Sequence, residues 1–224
     1  MPKTLDVYLH RRPVGQLIQD KHGQMVFRYA SSWLDAANAM PLSHSLPLRK
    51  EPFDRNECRG FFAGLLPDDS KRQIIAKNLG ISARNDFAML EQIGGECAGA
   101  VTFVPEGQSL SEQECSYRQL TGEQLARLLK ELPRRPLMAG EDGVRLSLAG
   151  AQDKVAVHVA GNQISLPLGG APSTHILKPT VEHYEGIVFN EALCMRLAHA
   201  VGLHTAKVEI RQVDGIDYLL VERY

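Results

Sequence analysis

Val144-Arg145-Leu146-Ser147-Leu148-Ala149-Gly150-Ala151-Gln152-Asp153-Lys154-Val155-Ala156-Val157-His158-Val159 reads as a strand, a turn of small residues and a second strand. Two apolar-alternating runs, 144–148 and 154–159, flank three consecutive small residues, Ala149, Gly150 and Ala151. A phosphate needs several backbone N–H donors brought close, and only glycine or a small residue lets the backbone approach that far. Any β-hairpin can use Ala-Gly-Ala in its turn, so the stretch suits a nucleotide without demanding one.

Towards the C-terminus, Gly161-Asn162 turns into a strand at 163–166, and His175-Ile176-Leu177-Lys178 forms another. A helix follows over 187–201, ended by Gly202. Strands at 206–212 and 218–221, joined through Asp214-Gly215, finish the chain. Sheet, one helix, more sheet is the order of a protein-kinase small lobe.

Three further groups in this half could carry chemistry. Lys178 sits beside Ile176 and Leu177, which would pack its aliphatic stem and direct its ammonium to one place. Kinases use such a strand lysine as a point charge against phosphates, although an edge-strand surface lysine has the same surroundings. Glu191 lies on the following helix, where the period places Leu193, Leu197 and Val201 on one face but leaves the direction of Glu191 open. It could meet Lys178, or it could stabilise the first helical turn through the dipole. The terminal Leu219-Leu220-Val221-Glu222-Arg223-Tyr224 could be a hinge holding adenine, or simply a strand.

Towards the N-terminus, 134–143, which follows Pro133 and contains Pro136, Gly140 and Gly143, reads as a linker. Before it, a helix begins at Thr121-Gly122-Glu123-Gln124, with Leu125, Leu128, Leu129 and Leu132 inward and Pro133 at its end. Residues 105–120 read as a polar loop. The first hundred residues give a β-meander at 5–9, 14–18 and 25–29, an extended proline-bracketed segment at 41–47, and helices at 58–66, 70–79 and 86–93. A strand at 98–104 rejoins the sheet.

Composition bounds the function classes. The 224 residues, 44% hydrophobic and 23% charged, describe an ordinary folded chain long enough for one large or two small domains. Twenty-five basic against 26 acidic side chains give a net charge of -1, which argues against coating nucleic acid by charge alone. Cys58, Cys97, Cys115 and Cys194 show no paired spacing and read as reduced thiols. With no apolar run near the ~20 residues of a membrane span and no signal-like N-terminus, a cytoplasmic protein is expected.

The order of these pieces resembles the HipA family of serine/threonine kinases, toxins of type II toxin–antitoxin systems. The resemblance rests on 146–154, on Thr174-His175-Ile176-Leu177-Lys178-Pro179, on Asn190-Glu191 and on Val221-Glu222-Arg223-Tyr224. Pro41-Leu42-Ser43-His44-Ser45-Leu46-Pro47-Leu48, Phe61-Phe62-Ala63-Gly64-Leu65-Leu66-Pro67-Asp68 and Ile93-Gly94-Gly95-Glu96-Cys97-Ala98-Gly99-Ala100-Val101 agree with it. It covers essentially the whole chain.

The resemblance implies an α+β fold: a β-meander with helices at 1–133, a linker at 134–143, and a kinase-like small lobe with an antiparallel sheet and one helix at 144–224, the helical lobe being absent. It implies ATP held by Ala149, Gly150, Ala151, Gln152, Asp153, Lys154, Lys178, Glu222, Arg223 and Tyr224, with Glu191 as partner of Lys178. Ser147 matches a loop serine whose autophosphorylation inactivates family members. The implied reaction moves the ATP γ-phosphate to Ser or Thr of a protein, aminoacyl-tRNA synthetases among the family's substrates. The implied partner is a HipB-like helix-turn-helix antitoxin, which alone would contact DNA; no membrane is involved. The catalytic aspartate and the Mg²⁺ ligands are expected beyond Tyr224, so the chain by itself is expected to be inactive. A non-catalytic binding or regulatory module of a split toxin–antitoxin system is the alternative.

Overall fold

The computed structural model describes residues 2–108, 115–181 and 184–223, apart from the side chain of Asp69 and the exposure of Gly99. The chain divides into two compact units, Met1–Glu114 with Arg145–Gly150, and Cys115–Val144 with Ala151–Tyr224. The stretch 134–143, expected as a linker, lies inside the second unit.

In the first unit, β1 (Lys3–Leu9), β2 (Arg12–Gln19), β3 (Met25–Tyr29) and β4 (Val101–Pro105) form an antiparallel sheet in the order β3-β2-β1-β4. Along β1 the odd positions Leu5, Val7 and Leu9 are buried and the even ones are not, the period-2 signature of a one-sided sheet. Gly15 is required where β2 meets β3, because a Cβ there would lie 2.2 Å from the Arg28 carbonyl oxygen.

Four helices accompany this sheet among the described residues: α1 (Ser31–Leu34), α2 (Arg55–Gly64), α3 (Asp69–Leu79) and α4 (Asp86–Ile93). A capping box starts α2, with Asp54 accepting from the Asn56 and Glu57 amides while the Glu57 carboxylate accepts from the Asp54 amide. Gly80, left-handed at φ 66°, ends α3. Phe27, Phe53, Phe62 and Phe103 are buried together with ring centroids 5.3 to 6.1 Å apart. Each buried ring contributes roughly 1.5–3 kcal/mol relative to exposure.

The second unit contains β5 (Ser116–Gln119), α5 (Gly122–Glu131), β6 (Val155–Ala160), β7 (Gln163–Leu168), β8 (His175–Pro179), α6 (Ile187–Ala200), β9 (Val208–Val213) and β10 (Ile216–Glu222). Its sheet runs β5-β7-β6-β8-β10-β9, antiparallel throughout. Thr121 and Gln124 form the capping box of α5, and Leu125, Leu128, Leu129 and Leu132 are buried as its period requires. Asp214 and Gly215 both take positive φ, the geometry a two-residue hairpin needs between β9 and β10.

Three sequence expectations are corrected. Residues 144–148 form no regular strand; the segment makes an isolated parallel bridge between Leu146 and Glu96. Its peptides serve a loop instead of a ladder: the Ser147 amide donates to Glu96 O and the Glu96 amide to Arg145 O. The polar stretch 105–120 contains β5, an edge strand whose four residues are all exposed, so no apolar alternation marks it. Residues 136–139 form a buried turn, with Leu137 and Met138 at positive φ.

Candidate nucleotide-binding site

Strand register decides which way Lys178 points. Lys178 stands opposite Leu219 of β10, and Ile176 stands opposite Val221 of β10 and Ala156 of β6. Paired residues share a face, so Ala156, Ile176, Lys178, Leu219 and Val221 look to one side of the sheet. That is the side on which α6 packs: Val188 and Ala192 bury against Leu219, with Ile187, Val208, Ile210 and Val221 around them. Val188, Glu191 and Ala192 follow the i, i+3, i+4 spacing of one helical face. Glu191 is therefore carried to the sheet by the same contact that buries Ala192.

The structure brings the two charges together. Lys178 Nζ donates to Glu191 Oε1 at 2.5 Å, with side chains 19% and 28% exposed. Both side chains are mostly covered, and the ion pair holds the ammonium at one point.

Beyond β8, the terminal strand is tied in by backbone bonds. The Glu222 amide donates to Lys207 O at 2.9 Å and the Arg223 amide to Thr174 O at 2.8 Å. The Glu222 carboxylate lies 3.6 Å from Lys207 Nζ, and Arg223 donates to the Ser173 hydroxyl. Glu222 pairs with His175 across β10 and β8, and burial is the largest cause holding that imidazole below its ordinary pKa. Tyr224 lies outside the described residues.

The small-residue run falls where the chain passes from one unit to the other. Ala149 and Gly150 close the first unit's share, and Ala151, Gln152, Asp153 and Lys154 belong to the second. Gly150 has φ 102°, a conformation that side-chain-bearing residues rarely adopt, and bridges to Pro67 in its own unit. Asp153 is buried, whereas Gln152 is half-buried and its side-chain nitrogen has no partner among the described residues.

Ser147 has no exposure at all, and its hydroxyl donates to Leu65 O at 2.6 Å. The segment holding it is anchored by Arg145, whose guanidinium donates to the carbonyls of Glu91, Gln92 and Phe103. Burial pushes the pKa of that guanidinium down. Sequence reasoning missed this anchor, although the tight pair Gly94-Gly95 signalled a close approach. A Cβ on Gly95 would lie 2.6 Å from the Arg145 Cβ and carbonyl oxygen. The carboxylate of Asp86, which belongs to α4, is taken up by Arg59 and Arg72 and is structural.

Residues 5–104 match the family model for the HipA N-terminal domain, and residues 146–224 that for the HipA-like C-terminal domain. The serine/threonine-protein kinase toxin HipA of Shewanella oneidensis is 31% identical over 222 residues, spanning 99% of this chain and 50% of that protein. The chain belongs to the HipA family. A second relative, the "Putative kinase Y4mE" of Sinorhizobium fredii, is 47% identical over 228 residues, 99% of this chain and 54% of its own length. Among solved structures, the Shewanella oneidensis HipA chain in complex with HipB and operator DNA superposes with a TM-score of 0.80 at 30% identity, covering 98% of this chain and 50% of that one. The chain thus spans about half the length of the HipA relatives it matches. Its two antiparallel sheets with accompanying helices are the HipA fold over that half.

Proposed function

We propose that this chain is the nucleotide-gripping portion of a HipA-like serine/threonine kinase, in which Lys178 holds the phosphates of ATP and Glu191 holds Lys178. The Lys178–Glu191 pair carries this reading. A strand lysine fixed by a helix glutamate presents one ammonium at a constant position, as phosphoryl transfer requires of a group that must not reorganise while charge moves. Ile176 lies on the same face of the sheet, half-buried, and offers an apolar surface for the base. Glu222, Arg223 and Tyr224 are assigned to the hinge, and the backbone of Ala149–Lys154 to the phosphates. Mg²⁺, when bound, would supply charge neutralisation of those phosphates.

Ser147 is the proposed autophosphorylation site. Its burial means the segment must leave that place before a phosphate fits, which couples modification to loss of the phosphate cradle. The Shewanella relative is a named kinase toxin seen with HipB and DNA. A HipB-like antitoxin is accordingly the proposed partner here, with a protein serine or threonine as acceptor.

The test is titration of a fluorescent ATP analogue into the 224-residue chain and into its Lys178→Ala variant. Loss of a charge-assisted contact of about 1.5–3 kcal/mol corresponds to roughly 10- to 100-fold weaker binding. Equal affinity of the two proteins would remove Lys178 from the site.

A further inference from the structure

Two helices of the first unit begin beside one cavity. It holds about 320 Å³, and Gln19, Arg55, Ser82, Arg84, Asn85 and Asp86 contribute to its wall. Arg55 is the first residue of α2, directly after its cap Asp54, and Arg84 directly precedes Asn85, the cap of α4. Both arginines are exposed, and neither guanidinium makes an ion pair or hydrogen bond with any described residue. The carboxylates nearby are engaged elsewhere. Asp86 accepts from Arg59 Nε through Oδ2 at 2.7 Å and from Arg72 Nη2 through Oδ1. Asp54 Oδ1 accepts from the Asn56 and Glu57 amides of α2, and the Glu57 carboxylate pairs with Arg49. Folding gains nothing from the two unpaired charges, because the positive end of a helix disfavours a cation at its start.

The neutral groups on the wall present donors. Asn85 Oδ1 is used twice, by the Ala88 amide at 3.0 Å and by Gln19 Nε2 at 3.1 Å, which leaves the Asn85 NH₂ group to donate. Ser82 Oγ accepts from the Arg84 amide at 3.3 Å, and its own O–H is left to donate. Two guanidinium forks, an amide and a hydroxyl around one cavity suit an anion with several acceptor oxygens. We infer that this cavity binds a small phosphate monoester, its phosphate held by Arg55 and Arg84 and its organic group filling the remaining volume. A carboxylate has two oxygens and is satisfied by one fork, whereas a terminal phosphate has three and engages both. The volume lies at the lower end of the ~300–1,000 Å³ of small-molecule sites, so the ester is compact. The inference stands without the nucleotide reading: these six residues belong to the first unit and Lys178 to the second.

The experiment titrates the nitrogen-15-labelled chain with glycerol 3-phosphate and follows the backbone amide resonances of Ser82, Arg84 and Asn85. Glycerol and glutarate serve as comparison ligands. The ester shifts the three resonances saturably, glycerol leaves them unmoved, and glutarate binds at least about tenfold more weakly. Arg55→Gln with Arg84→Gln weakens the ester by at least about tenfold without lowering the melting temperature. Arg28→Gln, at an exposed arginine of β3 outside the cavity, leaves the affinity unchanged. Lys178→Ala keeps the same three shifts, which separates this site from the nucleotide reading. Arg84→Gln alone repeats the titration should the double variant lose its fold. Four results overturn the inference: no saturable shift at the three amides, glutarate binding as tightly as the ester, arginine variants that bind normally, or shifts that follow protein concentration without ligand, which would seat a second copy in the cavity.

Discussion

The Ser147 hydroxyl donates a 2.6 Å hydrogen bond to the Leu65 carbonyl in a place without solvent access. Removing the hydroxyl strands a buried carbonyl, so Ser147→Ala destabilises the first unit by about 1–2 kcal/mol. Ser147→Asp sets a carboxylate against a carbonyl oxygen and costs at least about 3 kcal/mol. Trp33, the chain's single tryptophan, reports urea unfolding of this unit. A second readout is tryptic cleavage after Arg145, whose guanidinium is bound to three carbonyls. The wild-type chain resists there, and Ser147→Asp is cut. Equal resistance would show that a charge at 147 leaves the segment in place.

Gly95 and Gly60 predict opposite outcomes from one substitution. A methyl on Gly95 meets Arg145 at 2.6 Å, so Gly95→Ala forces the 145–148 segment to shift and costs about 1–3 kcal/mol. Gly60 lies within α2 with nothing within 4 Å of a Cβ, and Gly60→Ala stabilises by about 0.5–1 kcal/mol. Urea midpoints from Trp33 fluorescence rank the variants Gly60→Ala, wild type, Gly95→Ala.

Much of this architecture is legible in the chain because its cues are local. The capping pair Thr121 and Gln124, the stop at Gly80 and the alternation through Leu5, Val7 and Leu9 each specify an element without help from distant residues. The failures share one cause. The 144–148 segment alternates like a strand, yet its partners are Glu96 and Leu65, chosen by Arg145 reaching three carbonyls far away in sequence. The leucines of α6 keep helical register, but periodicity cannot say which apolar face meets the sheet. The smaller pair, Val188 and Ala192, does. The Lys178–Glu191 approach needs the β8–β10 register and the seating of α6 together, so the sequence left it as one of two roles for Glu191.

The four thiols divide by burial. Cys58 is buried, and burial is the largest cause of its pKa being pushed up to about 11; Cys97 is buried as well. Cys115 and Cys194 are exposed. In native buffer at pH 8 an aromatic disulfide reagent titrates two thiols quickly and the remaining two only on adding denaturant. Four fast thiols would contradict the packing of the first unit's core.

His175 gives the second unit an acid-side sensitivity. Burial holds its imidazole below the ordinary 6.5, while Glu222 and Glu209 pull upward and Arg211 and His158 downward. The unfolded chain therefore takes up the proton first as pH falls. The associated stability is complete above about pH 6.5 and is lost as pH drops through that value towards the folded pKa. Thermal melts followed by circular dichroism at pH 7.5 and pH 5.5 show a smaller acid-induced decrease in His175→Gln than in the wild type. An unchanged decrease assigns the sensitivity to other groups.

A charge reversal separates what the Lys178–Glu191 pair does for folding from what it does for a ligand. Its side chains are 19% and 28% exposed, so solvent screens only part of the attraction, and Glu191→Ala costs about 1 kcal/mol. Lys178→Glu with Glu191→Lys re-forms an ion pair between the same strand and helix, and most of that loss returns. Nucleotide binding does not follow. In the reversed protein a carboxylate occupies the strand position and repels the phosphates, while the ammonium now starts from α6 on a different backbone. Melting temperature therefore recovers in the double variant while affinity for the ATP analogue stays at the level of Lys178→Ala. Recovery of both would make the pair's position interchangeable and would leave the strand lysine without a special role.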